Sequence, residues 1–293
     1  IIIYGYINSA QAVILSSSDS LFVSKPPNCL GFIAIYDSTG RFIESRKLYH
    51  GLAGNGTADD INGQLEIDHQ DNIYISCVLQ SANLFSKKDS INISSGTGNK
   101  ISYIVKYSPG LDSILWYKAV NENSGQFRCV RMRIGKDNNV YAAGRIIGSN
   151  VTVNKINYNY SKYFAKGLLV ILSPKGKFIH TGLINSDTKQ EDNLMDIAAV
   201  DTNRIYITGY VQDSILYGGK WYVPANPASK GLGYPYVGLI STSKGAKWID
   251  LTSNKDSLPL ASAYTYFLGG LEGRLNFDKY GNVYSSFRHY YNP

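Results

Sequence analysis

The sequence predicts an all-β fold assembled from repeats of one four-stranded sheet. Three observations predict it: a segment of the type Asn-Ile-Tyr-Ile recurs along the chain, strand-sized apolar runs accompany each copy in a fixed order, and only 17% of the residues are charged while 24 are Tyr. Aromatic and β-branched residues favour strands over helices. The longest apolar run, 167–172, is itself strand-sized, so we expect no membrane-spanning helix.

The recurring segment sets the period of the repeat. Its tyrosines are 67, 65 and 78 residues apart, at Tyr74, Tyr141, Tyr206 and Tyr284, and the opening residues 1–5 fit the same position. Self-similarity at a regular period indicates a repeat architecture. The predicted units are residues 1–58, 59–123, 124–190, 191–268 and a partial unit, 269–293.

Three further strand-sized segments surround this recurring strand, which is the second of each unit. A first strand precedes it at 64–68, 131–134, 197–201 and 274–278. A third strand follows at 32–37, 103–108, 168–173 and 236–241, and a fourth at 42–48, 114–120, 178–184 and 247–251. Between the second and third strands each unit carries an inserted hairpin, at 13–23, 84–93, 151–158 and 214–223.

The apolar pattern indicates how these sheets pack. The second and third strands are apolar on successive residues, so both faces of each sheet must be covered. The fourth strand loosens toward alternation, as in residues 42–48, which is typical of an exposed outer edge. Radial repetition of four-stranded sheets provides this cover. We therefore predict a single β-propeller domain over residues 1–293, with four-stranded blades of about 65–78 residues.

The number of strands bears on closure of the ring. The chain supplies four first strands but five second strands, so at least four to five blades are represented. We expect an excerpt of a larger ring, or a ring that is completed by a segment or partner outside this chain.

The features of the repeat come in the order Asp, a short turn, Asn-Ile-Tyr-Ile-x-Gly-Tyr, an insertion, Phe-Val-x-Lys-Tyr, a turn, Gly and Trp. In this order of its features the chain resembles the SBBP repeat. This is a β-propeller repeat of bacterial surface and secreted proteins that also occurs in some viral proteins. The resemblance covers essentially the whole chain and is strongest in residues 103–116 and 204–248. It implies a propeller and provides no catalytic residues. The sequence departs from the repeat at the anchor glycine, replaced by Cys77 and Phe287, and its tryptophan occurs only as Trp116 and Trp248.

No catalytic or metal-binding constellation stands out. The cysteines Cys29, Cys77 and Cys129 are scattered and are interpreted as small buried residues, with one disulfide and a leftover thiol as the alternative. The histidines His50, His69, His180 and His289 are interpreted as surface or hairpin residues. We predict neither a cofactor nor a metal site. Asp68, Asp201 and Asp278 recur where first strands end and are interpreted as turn-forming residues, with a Ca²⁺ site as the alternative.

These features predict a non-enzymatic protein that serves as a structural or protein- or glycan-binding component of a cell-surface, secreted or virion-surface assembly. Its candidate interaction surface consists of Leu216, Tyr217, Trp221, Tyr222, Tyr158 and Tyr160. The alternative is a propeller-scaffolded polysaccharide hydrolase or lyase that uses the loop carboxylates Asp59, Asp60, Glu191 and Asp192. The net charge of +7 indicates a mild attraction to acidic polymers or surfaces and no specific nucleic-acid binding.

Overall fold

The computed structural model describes residues 1–7, 12–14, 20–22, 28–52, 63–94, 100–123, 125–148, 150–158, 166–184, 193–211, 214–222, 234–251, 274–277 and 283–286. These residues form antiparallel β-strands and one short 3-10 turn, Pro109–Leu111, and contain no α-helix. The all-β prediction is confirmed. The chain divides into two compact units, residues 1–128 and 129–293, which we describe separately.

The first unit contains two antiparallel sheets and a separate hairpin. Its strands are β1 (Ile2–Ile7), β2 (Ala12–Ile14), β3 (Ser20–Phe22), β4 (Asn28–Tyr36), β5 (Phe42–Leu52), β6 (Gln64–Ile67), β7 (Ile73–Leu79), β8 (Ser81–Phe85), β9 (Ser90–Ser94), β10 (Ile101–Tyr107) and β11 (Ile114–Ala119). One sheet has the order β1-β4-β5-β8-β9 and the other β11-β10-β7-β6, while β2 and β3 pair with each other.

The second unit contains two four-stranded sheets and three hairpins. Its strands are β12 (Gln126–Ile134, whose first three residues belong to the first unit), β13 (Val140–Ile147), β14 (Val151–Val153), β15 (Ile156–Tyr158), β16 (Lys166–Leu172), β17 (Phe178–Ile184), β18 (Asn193–Asp201), β19 (Arg204–Val211), β20 (Ile215–Tyr217), β21 (Lys220–Tyr222), β22 (Tyr234–Ser241), β23 (Gly245–Leu251), β24 (Arg274–Phe277) and β25 (Val283–Ser286). The sheets are β12-β13-β16-β17 and β18-β19-β22-β23, and the hairpins are β14-β15, β20-β21 and β24-β25.

The three four-stranded sheets share one order of strands along the chain. Each is built from the predicted first, second, third and fourth strands in sequence, and the inserted hairpin lies between the second and the third. No closed barrel or closed ring of sheets is found among the described residues. The propeller, the single domain over residues 1–293 and the closure of the ring therefore stay predictions.

Burial follows the apolar pattern of the strands. Every residue of β7, β10 and β16 is buried, although side chains alternate between the two faces of a strand, so both faces of these central strands are covered. In the fourth strand β11, exposed Leu115 and Tyr117 alternate with partly buried neighbours. The successive apolar residues of the central strands thus reflect cover on both faces of the sheet, and the partial alternation in β11 reflects exposure of an outer strand.

A β-bulge recurs where each third strand pairs with its fourth. The extra residue is Ile43 in β5, Leu115 in β11, Ile179 in β17 and Lys247 in β23. The three apolar residues are 56%, 49% and 44% exposed. Because a bulge leaves its extra residue outside the regular pairing, a large apolar side chain can face solvent here without breaking the core pattern of the strand.

Candidate functional site

The hairpin β20-β21 contains most of the predicted interaction residues. Its two-residue turn consists of Gly218 and Gly219, with φ of 59° and 78°. A tight two-residue hairpin turn of this type requires a positive φ at both positions. The pairing is Ile215 with Tyr222, Leu216 with Trp221, and Tyr217 with Lys220. Since successive residues of a strand face opposite sides, Leu216 and Trp221 share one face of the hairpin and Ile215, Tyr217 and Tyr222 the other.

The inner face of this hairpin belongs to the core of the second unit. Ile215, Tyr217 and Tyr222 are 0%, 4% and 8% exposed and join one apolar cluster with residues of β17, β19 and β22. The Tyr217 hydroxyl lies 3.4 Å from Nε2 of His180 in β17. A Cβ atom on Gly182 would lie 2.9 Å from the same hydroxyl oxygen, so the absence of a side chain there makes room for the tyrosine. The hairpin is therefore anchored on the outer strand of the preceding sheet.

The outer face presents an aromatic–aliphatic pair. Trp221 is 43% exposed and Leu216 is half-buried, and the two are directly paired across the hairpin. On the opposite face, which holds Tyr217 and Tyr222, the ammonium of exposed Lys220 lies 5.1 Å from the ring centroid of Tyr222, within the range of a cation–π contact. The outer pair is therefore a small apolar patch of one exposed and one half-buried side chain.

The hairpin β14-β15 has the same packed inner face and two-residue turn, with a different outer face. Its turn residues Asn154 and Lys155 have φ of 51° and 64°, and Tyr158 is 8% exposed. The Tyr158 hydroxyl donates a 3.2 Å hydrogen bond to Oγ1 of Thr181, and burial raises the pKa of this tyrosine. Its outer cross-strand pair is Thr152 and Asn157, which is polar where β20-β21 is apolar.

The predicted interaction residues thus separate into three groups. Leu216 and Trp221 lie on an accessible face, whereas Tyr217, Tyr222 and Tyr158 contribute to the core. Tyr160 lies outside the described residues. The sequence contains the signal that separates them, because the two-residue turn fixes the register and the register fixes which residues share a face.

His180 makes the stability of this region depend on pH. Burial lowers its pKa from the ordinary value of 6.5, so the folded state disfavours the protonated ring. The stability contributed by neutral His180 is complete above this value and declines as the pH falls through the lower pKa of the folded state. We expect the free energy of unfolding to fall between about pH 7.5 and about pH 5.5, and to fall less in a His180→Gln variant. Denaturant unfolding at the two pH values measures this, and an equal fall in both proteins would contradict it.

Asp68 has the turn-forming role inferred from the sequence. Its Oδ1 accepts hydrogen bonds from the backbone amides of Gln70 and Asn72, and its Oδ2 accepts bonds from the Asn72 side chain and the Tyr74 hydroxyl. Lys106 Nζ lies 3.4 Å from Oδ2. Burial alone would raise the pKa of Asp68, but the hydrogen bonds from Asn72, Gln70 and Tyr74 hold it below its usual value. Protein donors and a lysine thus surround the carboxylate oxygens.

The following repeat forms the same network from a different position. Asp137, in the middle of the turn, accepts bonds from the Asn139 amide, the Asn139 side chain and the Tyr141 hydroxyl. Gly135 stands where the earlier repeat has Asp68. A Cβ atom on this glycine would lie 2.5 Å from Asp137 Oδ1 and 2.6 Å from the Tyr141 ring, so the shifted carboxylate requires the glycine. Asp137 is not one of the aspartates that recur by position in the sequence, because the carboxylate of this repeat is shifted two residues along the turn.

A second buried carboxylate joins the first strands of three successive repeats. Asp196 in β18 is fully buried, and its Oδ1 lies 3.1 Å from Nε of Arg131 in β12. The same oxygen accepts the Ile197 amide, while Oδ2 accepts the amide of Leu275 in β24 at 2.9 Å. A bulge at Met195 shifts the pairing of β18 with β19 just before this residue. Asp196 thereby connects three strands that are far apart in the sequence.

The remaining predicted sites give no further cluster. Asp59, Asp60, Glu191, Asp192, Asp278 and His289 lie outside the described residues. Asp201 accepts the Asn203 amide and pairs with Arg204 at 2.9 Å, again within a turn. Cys77 and Cys129 are buried and form no disulfide with each other. Within the described ranges, no group of three or more His, Cys, Asp or Glu residues could hold a metal ion.

The part of the chain that the structure describes contains no helix long and apolar enough to cross a bilayer. Comparison with known proteins adds no family to this description. The chain matches no protein-family model and no curated protein sequence.

Proposed function

We propose that the protein is a non-enzymatic β-propeller of SBBP-like repeats that binds a protein or glycan partner in a cell-surface, secreted or virion-surface assembly. The observation that carries the binding role is the outward-facing pair of half-buried Leu216 and exposed Trp221 on an anchored hairpin. The inner face fixes the hairpin to the core, so the outer pair meets a partner with little loss of conformational freedom. Tryptophan is enriched among the residues that carry most of the binding energy at the centre of an interface.

The Asp196 junction supports the radial arrangement within this proposal. In a propeller, the first strands of successive blades lie side by side around the central axis. One oxygen of Asp196 contacts the first strand of the preceding repeat and the other contacts the first strand of the following repeat. This fits a first strand that lies between two others around an axis. Two sheets stacked face to face would not bring three first strands to one carboxylate.

The binding role is tested with the whole chain and two defined probe sets, an array of uncharged oligosaccharides and a displayed random-peptide library. We expect a Leu216→Ala/Trp221→Ala variant to bind the selected ligands roughly tenfold more weakly or worse, because central aromatic anchors dominate interface energies. Its thermal stability should remain close to that of the parent, since both side chains lie on the outer face.

The matched control is Thr152→Ala/Asn157→Ala, which removes the outer pair of the β14-β15 hairpin. This variant should bind the selected ligands like the parent. Ligands that bind the Leu216→Ala/Trp221→Ala variant as tightly as the parent would remove the hairpin from the interface.

A further inference from the structure

Four turns of the second unit lie at one end of its sheets. The Lys136 amide, in the turn 135–139, donates to the Val200 carbonyl, which directly precedes the turn 201–204. The Thr242 amide, in the turn 242–245, donates to the Thr202 carbonyl. The fourth turn, 173–177, follows Leu172, which pairs with Val140 at the end of the first turn. We call this surface the turn end of the second unit.

The turn end is strongly basic. Its four turns contain five cationic side chains and two carboxylates, and all five cations are exposed: Lys136, Lys175, Lys177, Arg204 and Lys244. Both carboxylates are engaged within their own turns. Asp137 accepts hydrogen bonds from Asn139 and Tyr141, and Asp201 pairs with Arg204. Four lysines are therefore left without an ion pair among the described residues.

The first unit shows that the repeat does not require these lysines. Its corresponding turns, 37–41, 68–72 and 108–113, contain four aspartates and one arginine. Arg41 lies 3.4 Å from Asp37 within its own turn. Because the same turn positions fold with acidic residues in one unit and with lysines in the other, the positive charge of the turn end is not a demand of the fold.

The surrounding chemistry distinguishes among polyanions. The four turns contain no aromatic residue on which a nucleic-acid base could stack, and no large aliphatic residue that could insert into a membrane. Their lysines are surrounded in sequence by Gly, Ser, Thr, Pro and Asn residues. Separated ammonium groups suit the spaced carboxylate or sulfate groups of a polysaccharide, and the neighbouring amides and hydroxyls suit its ring hydroxyls.

We propose that the turn end of the second unit binds a linear anionic polysaccharide. This site is separate from the Leu216–Trp221 pair. Binding is electrostatic in origin, so it should weaken steeply as salt concentration rises. Binding to heparin tests the sulfated form of the ligand, and binding to polygalacturonate tests the carboxylated form.

The test variant replaces Lys136, Lys175, Lys177 and Lys244 by Gln in the whole chain. We expect its affinity for at least one of the two polysaccharides to fall roughly tenfold or more at physiological ionic strength, as measured by titration calorimetry. Unchanged affinity for both, or no binding of either by the parent protein, would overturn the proposal.

The control variant replaces Arg41, Lys47, Lys87 and Lys88, all exposed in the first unit, by Gln. It lowers the net charge equally, so it should retain binding if the turn end is the site. An equal loss in the control would show that only overall charge matters. Equally tight binding of double-stranded DNA or of anionic lipid vesicles through the same lysines would overturn the polysaccharide assignment.

One further variant separates this proposal from the proposed hairpin interface. Leu216→Ala/Trp221→Ala leaves all four lysines in place and should bind the polysaccharide like the parent protein. A loss of polysaccharide binding in this variant would place the ligand on the hairpin and overturn the assignment to the turn end.

Discussion

Replacing Asp196 by alanine is expected to lower the free energy of unfolding by about 3–5 kcal/mol. The carboxylate is fully buried and accepts bonds from Arg131 and from the Ile197 and Leu275 amides. Alanine would leave a largely buried guanidinium without its counter-charge, because the Arg131 side chain is 17% exposed. It would also leave the Leu275 amide without its acceptor, and an unmet buried donor is itself costly. Denaturant unfolding measures the total effect.

Two measurements locate this effect. The amide of Leu275 should lose its protection from hydrogen exchange in the Asp196→Ala variant, because Asp196 Oδ2 is its acceptor. Asp201→Ala provides the matched control, since this aspartate ends the same strand but pairs with an exposed Arg204. Its cost should be about 1 kcal/mol or less. Similar losses in the two variants would contradict a special role for the buried junction.

The extent to which the sequence predicts this molecule depends on which features repeat. The strands β7, β10 and β16 were predicted because an apolar residue at every position has one explanation in a sheet, namely cover on both faces. The turns at Asp68 and Asp201 were predicted for a similar reason, because a carboxylate that recurs before a hairpin satisfies the turn amides.

The features that could not be predicted from the sequence are those that interrupt the repeat. Asp196 occurs in one unit only, and nothing in the local sequence identifies Arg131 and the Leu275 amide as its partners. The bulges at Ile43 and Ile179 depend on a pairing offset of one residue, which a list of strands does not contain.

The candidate site lies between these two cases. The alternation of faces in β20-β21 was available in the sequence, but the side that faces the core depends on contact with His180 and Gly182 in another sheet. Aromatic content alone therefore does not separate the exposed residues of this hairpin from its packed ones.

Replacing Gly31 by alanine is the second change for which we expect a large loss of stability, of about 2–4 kcal/mol. Gly31 in β4 pairs directly with Tyr49 in β5, next to a bulge in this pair of strands. The tyrosine ring lies across the glycine, so that an added Cβ atom would overlap Cε1 of Tyr49. Tyr49 is fully buried and its hydroxyl lies 3.0 Å from that of Tyr4 in β1, so close packing and this contact oppose a shift of the ring. Thermal or denaturant unfolding of the variant measures the loss.

A double-mutant cycle with Tyr49→Leu tests whether the overlap is the cause. Tyr49→Leu alone should destabilise, because it removes a buried ring and its contact with Tyr4. In the Tyr49→Leu background, however, Gly31→Ala no longer meets the ring, and its additional cost should fall well below its cost in the parent protein. Simple addition of the two losses would show that the backbone of β4, and not the ring of Tyr49, requires glycine at this position. The cycle therefore separates a glycine selected by its cross-strand neighbour from one selected by its own conformation. We expect the first because Gly31 lies within β4 and does not have a positive φ.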